Sequence, residues 1–106
     1  VRSRGLGDVY KRQMMLNIKY TKLAIQDLND SYDYIFNNNP YAARSVIAKI
    51  ELTISKIAEH PGIGHKGRVA GTFEFLVLDT PFIIVYMYDR ENLKIVSILH
   101  TSRRYP

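Results

Sequence analysis

Side chains that can bind phosphate or transfer a proton lie at the two ends of one stretch, residues 66–105. They are Lys66, Arg68, His100, Arg103, Arg104 and Tyr105. Converging arginines can hold a phosphate through charge-assisted hydrogen bonds, and a nearby histidine or tyrosine can give or take a proton. Arg68 directly precedes one predicted strand and His100 ends another, so convergence requires these strands to be near each other. The alternative, which composition alone favours, is a charged rim that keeps a sheet in solution.

Residues 62–67 match the glycine pattern G-x-G-x-x-G letter for letter. A dinucleotide-binding loop of this kind needs a strand before it and a helix after it, so that the pyrophosphate meets a helix N-terminus. Here a predicted helix precedes the glycines and a predicted strand follows them. We therefore interpret the stretch as a connection between elements.

Acidic residues and histidines are the other candidates for chemistry. Three aspartates recur at intervals of three on a predicted helix: Asp27, Asp30 and Asp33. They drift around the side opposite the apolar face, which is typical of a solvated acidic surface. The three histidines lack the i, i+4 spacing of a helical zinc site, and the chain has no cysteine. We expect no metal and no cofactor.

Composition places the chain among ordinary globular proteins. It has 106 residues, of which 46% are hydrophobic and 24% charged, and this length suits one domain. The absence of cysteine excludes disulfides and thiolate catalysis. No apolar run approaches the ~20 residues that cross a bilayer, so we expect a cytoplasmic protein that does not enter the membrane.

The first thirteen residues, VRSRGLGDVYKRQ, differ from the rest. They lack amphipathic periodicity and the apolar core of a signal peptide, and they resemble translated sequencing-adapter sequence. We expect residues 1–13 to be a non-native or disordered leader, the natural start to be Met14 or Met15, and residues 14–106 to form a single domain. The leader contributes +3 of the net charge of +5. Nucleic-acid binding therefore cannot be argued from net charge.

A strand and two helices are predicted in the first half of the domain. Residues 16–20 alternate between apolar and polar, as in a half-buried strand. Thr21 is predicted to cap a helix over residues 22–36, and Asn39 to cap a second helix that ends at residues 60–62. The short loop between them predicts an antiparallel helical hairpin.

Three more strands are predicted, over residues 72–78, 81–88 and 93–100. Their short connections make them antiparallel neighbours. The last strand alternates cleanly, which predicts that Leu93 and His100 lie on opposite faces. The order β-α-α-β-β-β predicts an α+β fold, with a two-helix hairpin packed on a small, mainly antiparallel sheet.

Four segments share their order and spacing with a known family. They are Ala24-x-x-Asp27-Leu28, Gly67-Arg68-Val69-x-Gly71-Thr72-x-Glu74, Pro81-Phe82-Ile83-Ile84-Val85-Tyr86 and Leu99-His100-x-x-Arg103-x-Tyr105-Pro106. Together they resemble the RelE/ParE family of toxins from type II toxin–antitoxin modules, once labelled plasmid stabilisation proteins. The resemblance implies that family's fold, a small cytoplasmic toxin, and a cognate antitoxin that wraps its surface.

The resemblance implies one of two modes of action. ParE-like members inhibit DNA gyrase. RelE-like members cut mRNA in the ribosomal A site without a metal, using the 2′-hydroxyl as the nucleophile. In the second mode, position assigns Arg68 to the scissile phosphate, His100 to acid–base work, and Arg103 with Tyr105 to stacking on or neutralising the RNA. The other cations expected to bind RNA or another target are Lys66 and Arg104.

The sequence departs from the family pattern at two places. Phe73 replaces the arginine of Gly-Thr-Arg-Glu, and Tyr105-Pro106 replaces a frequent Trp-Pro ending. The segments around Arg68 and His100 are closer to the ParE side. We therefore expect a toxin that arrests bacterial growth by inhibiting gyrase. The alternatives are an mRNA endonuclease, which leaves open whether the protein is an enzyme, and an inactive homologue that retains antitoxin binding.

Overall fold

The computed structural model describes residues 15–101, so the predicted leader and three candidate residues, Arg103, Arg104 and Tyr105, lie outside the described residues. The elements are β1 (Asn17–Tyr20), α1 (Lys22–Asn38), α2 (Pro40–Glu59), β2 (His65–Lys66), β3 (Phe73–Leu76), β4 (Phe82–Tyr88) and β5 (Asn92–His100). A 3-10 turn, Pro61–Ile63, links α2 to β2.

The strands form one five-stranded sheet in the order β1-β5-β4-β3-β2. β1 pairs with β5 in parallel, and the other three pairings are antiparallel. The predicted α+β fold with a mainly antiparallel sheet is confirmed. β2 was not predicted, because two residues are too few to produce an alternating pattern.

Both helices begin at the predicted capping residues. The Thr21 hydroxyl accepts a hydrogen bond from the Ala24 N–H at 3.0 Å. The Asn39 side chain accepts from Tyr41 and Ala42 at 3.1 and 3.2 Å, which satisfies N–H groups that have no partner within the helix. Within residues 15–101, no helix is long and apolar enough to span a membrane.

The core lies between the helical hairpin and one face of the sheet. α2 contributes the largest apolar stripe, and β4 and β5 supply the opposing side chains. Fully buried members include Ile50, Ile54, Ile57, Ile84, Tyr86, Leu93 and Ile95. Their burial removes apolar surface from water and fixes the hairpin on the sheet. The sheet therefore offers its edges, its ends and its other face for binding.

A β-bulge at Val96 changes the face of the sheet on which the following side chains of β5 lie. Tyr86 pairs with Ile95 and Val85 pairs with Ser97, so Val96 has no partner of its own in β4. The extra residue shifts the alternation, and His100 therefore lies on the same helix-covered face as Leu93. The predicted clean alternation is wrong at this point.

Two side chains from the start of α1 bind the edge of β5 near the bulge. The Thr21 hydroxyl donates to the Val96 carbonyl at 2.8 Å. The Asp27 carboxylate accepts from the Ser97 hydroxyl at 2.7 Å and from the Ile98 N–H at 3.0 Å. β1 ends at Tyr20, so these side chains bond the edge of β5 beyond the short strand. The prediction of a solvated acidic surface is wrong for Asp27.

Asp89 organises the turn between β4 and β5. Its carboxylate accepts hydrogen bonds from Asn92 and Glu91, each at 2.8 Å, and these bonds hold the pKa of Asp89 below its ordinary value. The pKa of Asp89 is lower in the folded than in the unfolded protein. The stability that its hydrogen bonds contribute is therefore complete above about pH 4 and is lost as the pH falls through the folded pKa.

We therefore expect Asp89→Ala to destabilise the protein at neutral pH, by an amount that shrinks on acidification. Urea midpoints measured from pH 7 downwards, with a carboxyl ¹³C titration of Asp89, check this. Asp89→Asn is the matched control, because it keeps an acceptor oxygen that does not titrate. A carboxyl that titrates at the ordinary aspartate value would contradict the assignment.

Candidate functional site

Arg68 lies in the loop between β2 and β3, and it is exposed. Backbone and hydroxyl contacts close the loop. The Gly67 N–H donates to the Thr72 carbonyl at 2.8 Å, and the Thr72 hydroxyl donates to the Val69 carbonyl at 2.6 Å. Gly71 has φ +83°, a left-handed conformation that favours glycine. The result is a compact loop that carries an exposed arginine.

Glu74 supports this loop from β3. It is only 5% exposed, and its carboxylate accepts a hydrogen bond from the Arg68 N–H at 3.0 Å. Sequence analysis placed Glu74 in the family motif and predicted no further role for it. The available signal was an ionisable residue inside an otherwise apolar strand, Phe73-Glu74-Phe75-Leu76.

Three lysines lie at the same end of the sheet as Arg68. Lys66 pairs with Phe73, which in turn pairs with Tyr86. Lys19 and Lys94 pair directly across β1 and β5, one residue further along. We call Lys19, Lys66, Arg68 and Lys94 the basic end. Like charges opposite each other on neighbouring strands destabilise a sheet, which makes the exposed lysine pair a candidate binding feature. Lys19 and Lys94 were missed because their pairing depends on the parallel contact of distant segments.

His100 lies at the opposite end of the sheet. It pairs with Phe82, and the two rings meet edge to face with centroids 5.2 Å apart. A cleft of about 590 Å³ opens beside it, between α1 and the ends of β4 and β5, and is also lined by Asp30 and Tyr34. Among residues 15–101, no three histidine, aspartate or glutamate side chains are grouped as a metal site requires.

The structure does not bring Arg68 and His100 together. Arg68 follows Lys66, which lies level with Tyr86 of β4, whereas His100 lies level with Phe82 and three strands away from β2. A rise of ~3.4 Å per residue and a spacing of ~4.8 Å between strands place the two backbones roughly 20 Å apart. The convergence considered for these residues does not occur. β3 and β5 run in the same direction, so the start of β3 and the end of β5 lie at opposite ends of the sheet.

Phe73, which replaces the family's arginine, packs within an aromatic group. Its ring stacks on Tyr86 with centroids 5.7 Å apart and lies 5.2 Å from the ring of Tyr88. The position therefore contributes packing beside the basic end, where the family pattern would place a further charge. This substitution leaves Arg68 as the arginine of the β2–β3 segment.

The glycine-rich stretch has a packing role. It lies between α2 and β2, where the Gly64 N–H donates to the Tyr86 hydroxyl at 3.0 Å. That hydroxyl donates to the Pro61 carbonyl at 2.7 Å. A side chain at Gly64 would collide with the Tyr86 hydroxyl, so the close approach requires glycine.

This fold, a helical hairpin on a five-stranded sheet, is that of the type II toxin–antitoxin toxins of the ParE/RelE superfamily. The model of the ParE toxin of the type II system parDE matches residues 18–105. The chain therefore belongs to the ParE toxin family, and the predicted resemblance is confirmed. Membership implies a cognate antitoxin as a partner.

Two relatives and two solved structures agree with this assignment. Putative toxin Y4kP of Sinorhizobium fredii is 33% identical over 89 residues, covering 84% of this chain and 92% of the relative. Toxin RelE2 of Caulobacter vibrioides is 31% identical over 90 residues, covering 84% and 99%.

The structure of the chromosomal ParDE TA system from P. aeruginosa contains a similar chain, with TM-score 0.76, 21% identity, and 84% of this chain and 99% of that chain covered. The YoeB dimer from Staphylococcus aureus gives TM-score 0.53 and 26% identity, with 78% and 93% covered.

Proposed function

We propose that this toxin arrests bacterial growth by inhibiting DNA gyrase, and that the basic end binds the gyrase–DNA target. The observation that supports this is a row of exposed cations along one end of the sheet, with Lys66 and Arg68 at the β2 edge and Lys94 and Lys19 at the β1 edge, away from His100. A cationic surface suits acidic protein or DNA phosphate. Inhibition by binding needs such a surface and requires no acid–base pair.

RNA cleavage makes a stronger demand on geometry. A general acid or base must come within hydrogen-bond reach of the group it protonates, while an arginine that stabilises the scissile phosphate must contact the same phosphate. A separation of roughly 20 Å between Arg68 and His100 is incompatible with one site that uses both. Gyrase inhibition is therefore the favoured function.

An mRNA endonuclease is the second candidate, in a form centred on His100. His100 lines the cleft beside Phe82, and Arg103, Arg104 and Tyr105 follow it within five residues of sequence. Such a site would use these residues without Arg68. In this version activity depends on His100, whereas in the gyrase proposal it depends on Arg68.

The cognate antitoxin is proposed to bind the sheet edges and the outer surface of the hairpin. β1 and β2 are edge strands of four and two residues, and such edges accept an added strand. The helices expose large apolar side chains as well, including Leu23 at 53%, Tyr34 at 72% and Leu52 at 71%. An amphipathic partner segment would bury them.

The test compares Arg68→Ala and His100→Ala in two assays. We expect Arg68→Ala to weaken inhibition of supercoiling by purified gyrase about thirtyfold, as loss of an interfacial arginine does. His100→Ala should retain inhibition in that assay. Arg44→Ala, which removes an exposed arginine from α2, is the matched control. Co-expression of the antitoxin from the adjacent reading frame should restore growth.

The opposite pattern of results in the two assays would contradict gyrase inhibition. Cleavage of ribosome-bound mRNA that His100→Ala abolishes, with gyrase unaffected, would establish the endonuclease. Normal growth with abundant folded toxin would establish an inactive homologue, provided that the antitoxin still co-purifies.

A further inference from the structure

Glu74 is an ionisable side chain in the interior of the sheet. It pairs with Val85 on β4 and with His65 on β2, and only 5% of its surface is exposed. Burying a carboxylate costs free energy unless hydrogen bonds satisfy it. The Arg68 N–H, 3.0 Å from the carboxylate oxygen, supplies such a bond.

That hydrogen bond crosses the base of the loop that carries Arg68. Further hydrogen bonds within the loop join Gly67 to Thr72 and Thr72 to Val69, and they close the loop around Arg68. Glu74 acts on the backbone of Arg68 directly. The 3.0 Å distance is that of a well-formed hydrogen bond, so the contact restrains the backbone at Arg68.

Among the cations of the basic end, Arg68 has the greatest need of such a restraint. Lys19, Lys66 and Lys94 stand on strands whose backbones are fixed by the sheet. Arg68 stands on a loop, where an unrestrained backbone would lose conformational freedom on binding. A residue already held in its bound geometry avoids that cost and binds more tightly.

We propose that Glu74 is a positioning residue that presents Arg68 to the target of the toxin. This rests on the proposed function, in which Arg68 contacts the target. Glu74 itself makes no contact with the target. Its effect on toxicity passes through Arg68, and it disappears when the Arg68 side chain is removed.

A double-mutant cycle tests this dependence, with toxin dose for half-maximal growth arrest as the readout. Glu74→Ala should raise that dose roughly five- to thirtyfold, the cost of ordering the backbone of one residue on binding. Glu74→Gln keeps an acceptor for the Arg68 N–H and should retain most of the potency. In an Arg68→Ala background, adding Glu74→Ala should have no further effect.

A second readout measures the restraint without reference to any target. Hydrogen exchange at the Arg68 amide should accelerate in Glu74→Ala and remain close to wild type in Glu74→Gln, because only the alanine removes the acceptor. Thermal midpoints and antitoxin binding confirm that each variant is folded. Arg44→Ala again serves as the control for both readouts.

The outcomes separate the two proposals. If Arg68→Ala arrests growth as well as wild type, the target-binding role of Arg68 fails, and the role of Glu74 fails with it. If Arg68→Ala loses potency but Glu74→Ala does not, only the positioning role fails. A loss from Glu74→Ala that persists in the Arg68→Ala background, or unchanged exchange at the Arg68 amide, also overturns it.

Discussion

Replacing Tyr86 with alanine should lower the free energy of unfolding by about 3–5 kcal/mol, the usual cost of deleting a buried aromatic ring. Tyr86 is 0% exposed and stacks on Phe73. Its hydroxyl also accepts from Gly64 and donates to Pro61. The residue thus connects β4 to the segment that leaves α2. Urea denaturation followed by far-UV circular dichroism measures the change.

Tyr86→Phe keeps the ring and removes the hydroxyl, so it measures the contribution of the hydroxyl alone to stability. It should cost about 1–3 kcal/mol, because the Gly64 N–H and the Pro61 carbonyl lose their partner. Gly64→Ala and Gly62→Ala form a matched pair for the same contact. A side chain at Gly64 collides with the Tyr86 hydroxyl, whereas one at Gly62 meets nothing within 4 Å. Equal stability of these two alanine variants would contradict the described packing.

The Tyr86 hydroxyl should also make the stability of the protein depend on pH in the alkaline range. Burial raises the pKa of Tyr86, the hydrogen bond from Gly64 lowers it, and Tyr88 raises it again, with a net upward shift. The contribution of a group with a raised folded pKa is complete below its unfolded pKa of about 10 and is lost as the pH rises through the folded value. The stability difference between wild type and Tyr86→Phe should therefore narrow above about pH 10.

Replacing Asp27 with alanine should destabilise the protein by about 2–3 kcal/mol, since hydrogen bonds to a charged group are worth more than neutral ones. The change leaves the Ser97 hydroxyl and the Ile98 N–H without their described acceptor. Asp33→Ala is the control, because Asp33 is an exposed aspartate of the same helix. Chemical denaturation of both variants gives the comparison. Equal midpoints would show that the attachment of α1 to β5 contributes no stability.

Local sequence signals predicted the helices well, because the deciding contacts lie within a few residues. Thr21 and Asn39 were identified as helix caps from their side chains and position. The bulge at Val96 could not be predicted in this way. It depends on the register of β4 against β5 and on hydrogen bonds that β5 makes with Thr21 and Asp27, which are 70 or more residues away in sequence.

The candidate site was predicted only in part for the same reason. Arg68 and His100 were selected by residue type. The strand that ends at His100 was predicted, whereas Arg68 lies on the loop after β2, a strand that was not predicted. Their separation follows from strand direction and from the number of strands between them. The pairing of Lys19 with Lys94, and the contact of Glu74 with Arg68, depend on the folded sheet and on a buried acceptor. Neither leaves a periodic pattern in the sequence.

The parallel pairing of β1 with β5 bears on when the proposed binding surface can form during synthesis. Among residues 15–101, β1 is the first strand in sequence, yet its partner in the sheet is the last. Such a distant contact forms late, because the intervening chain must first be closed into a loop. The Lys19–Lys94 pair therefore does not exist on a nascent chain that still lacks β5. Synthesis of the toxin can proceed through most of its length before the proposed binding surface is assembled.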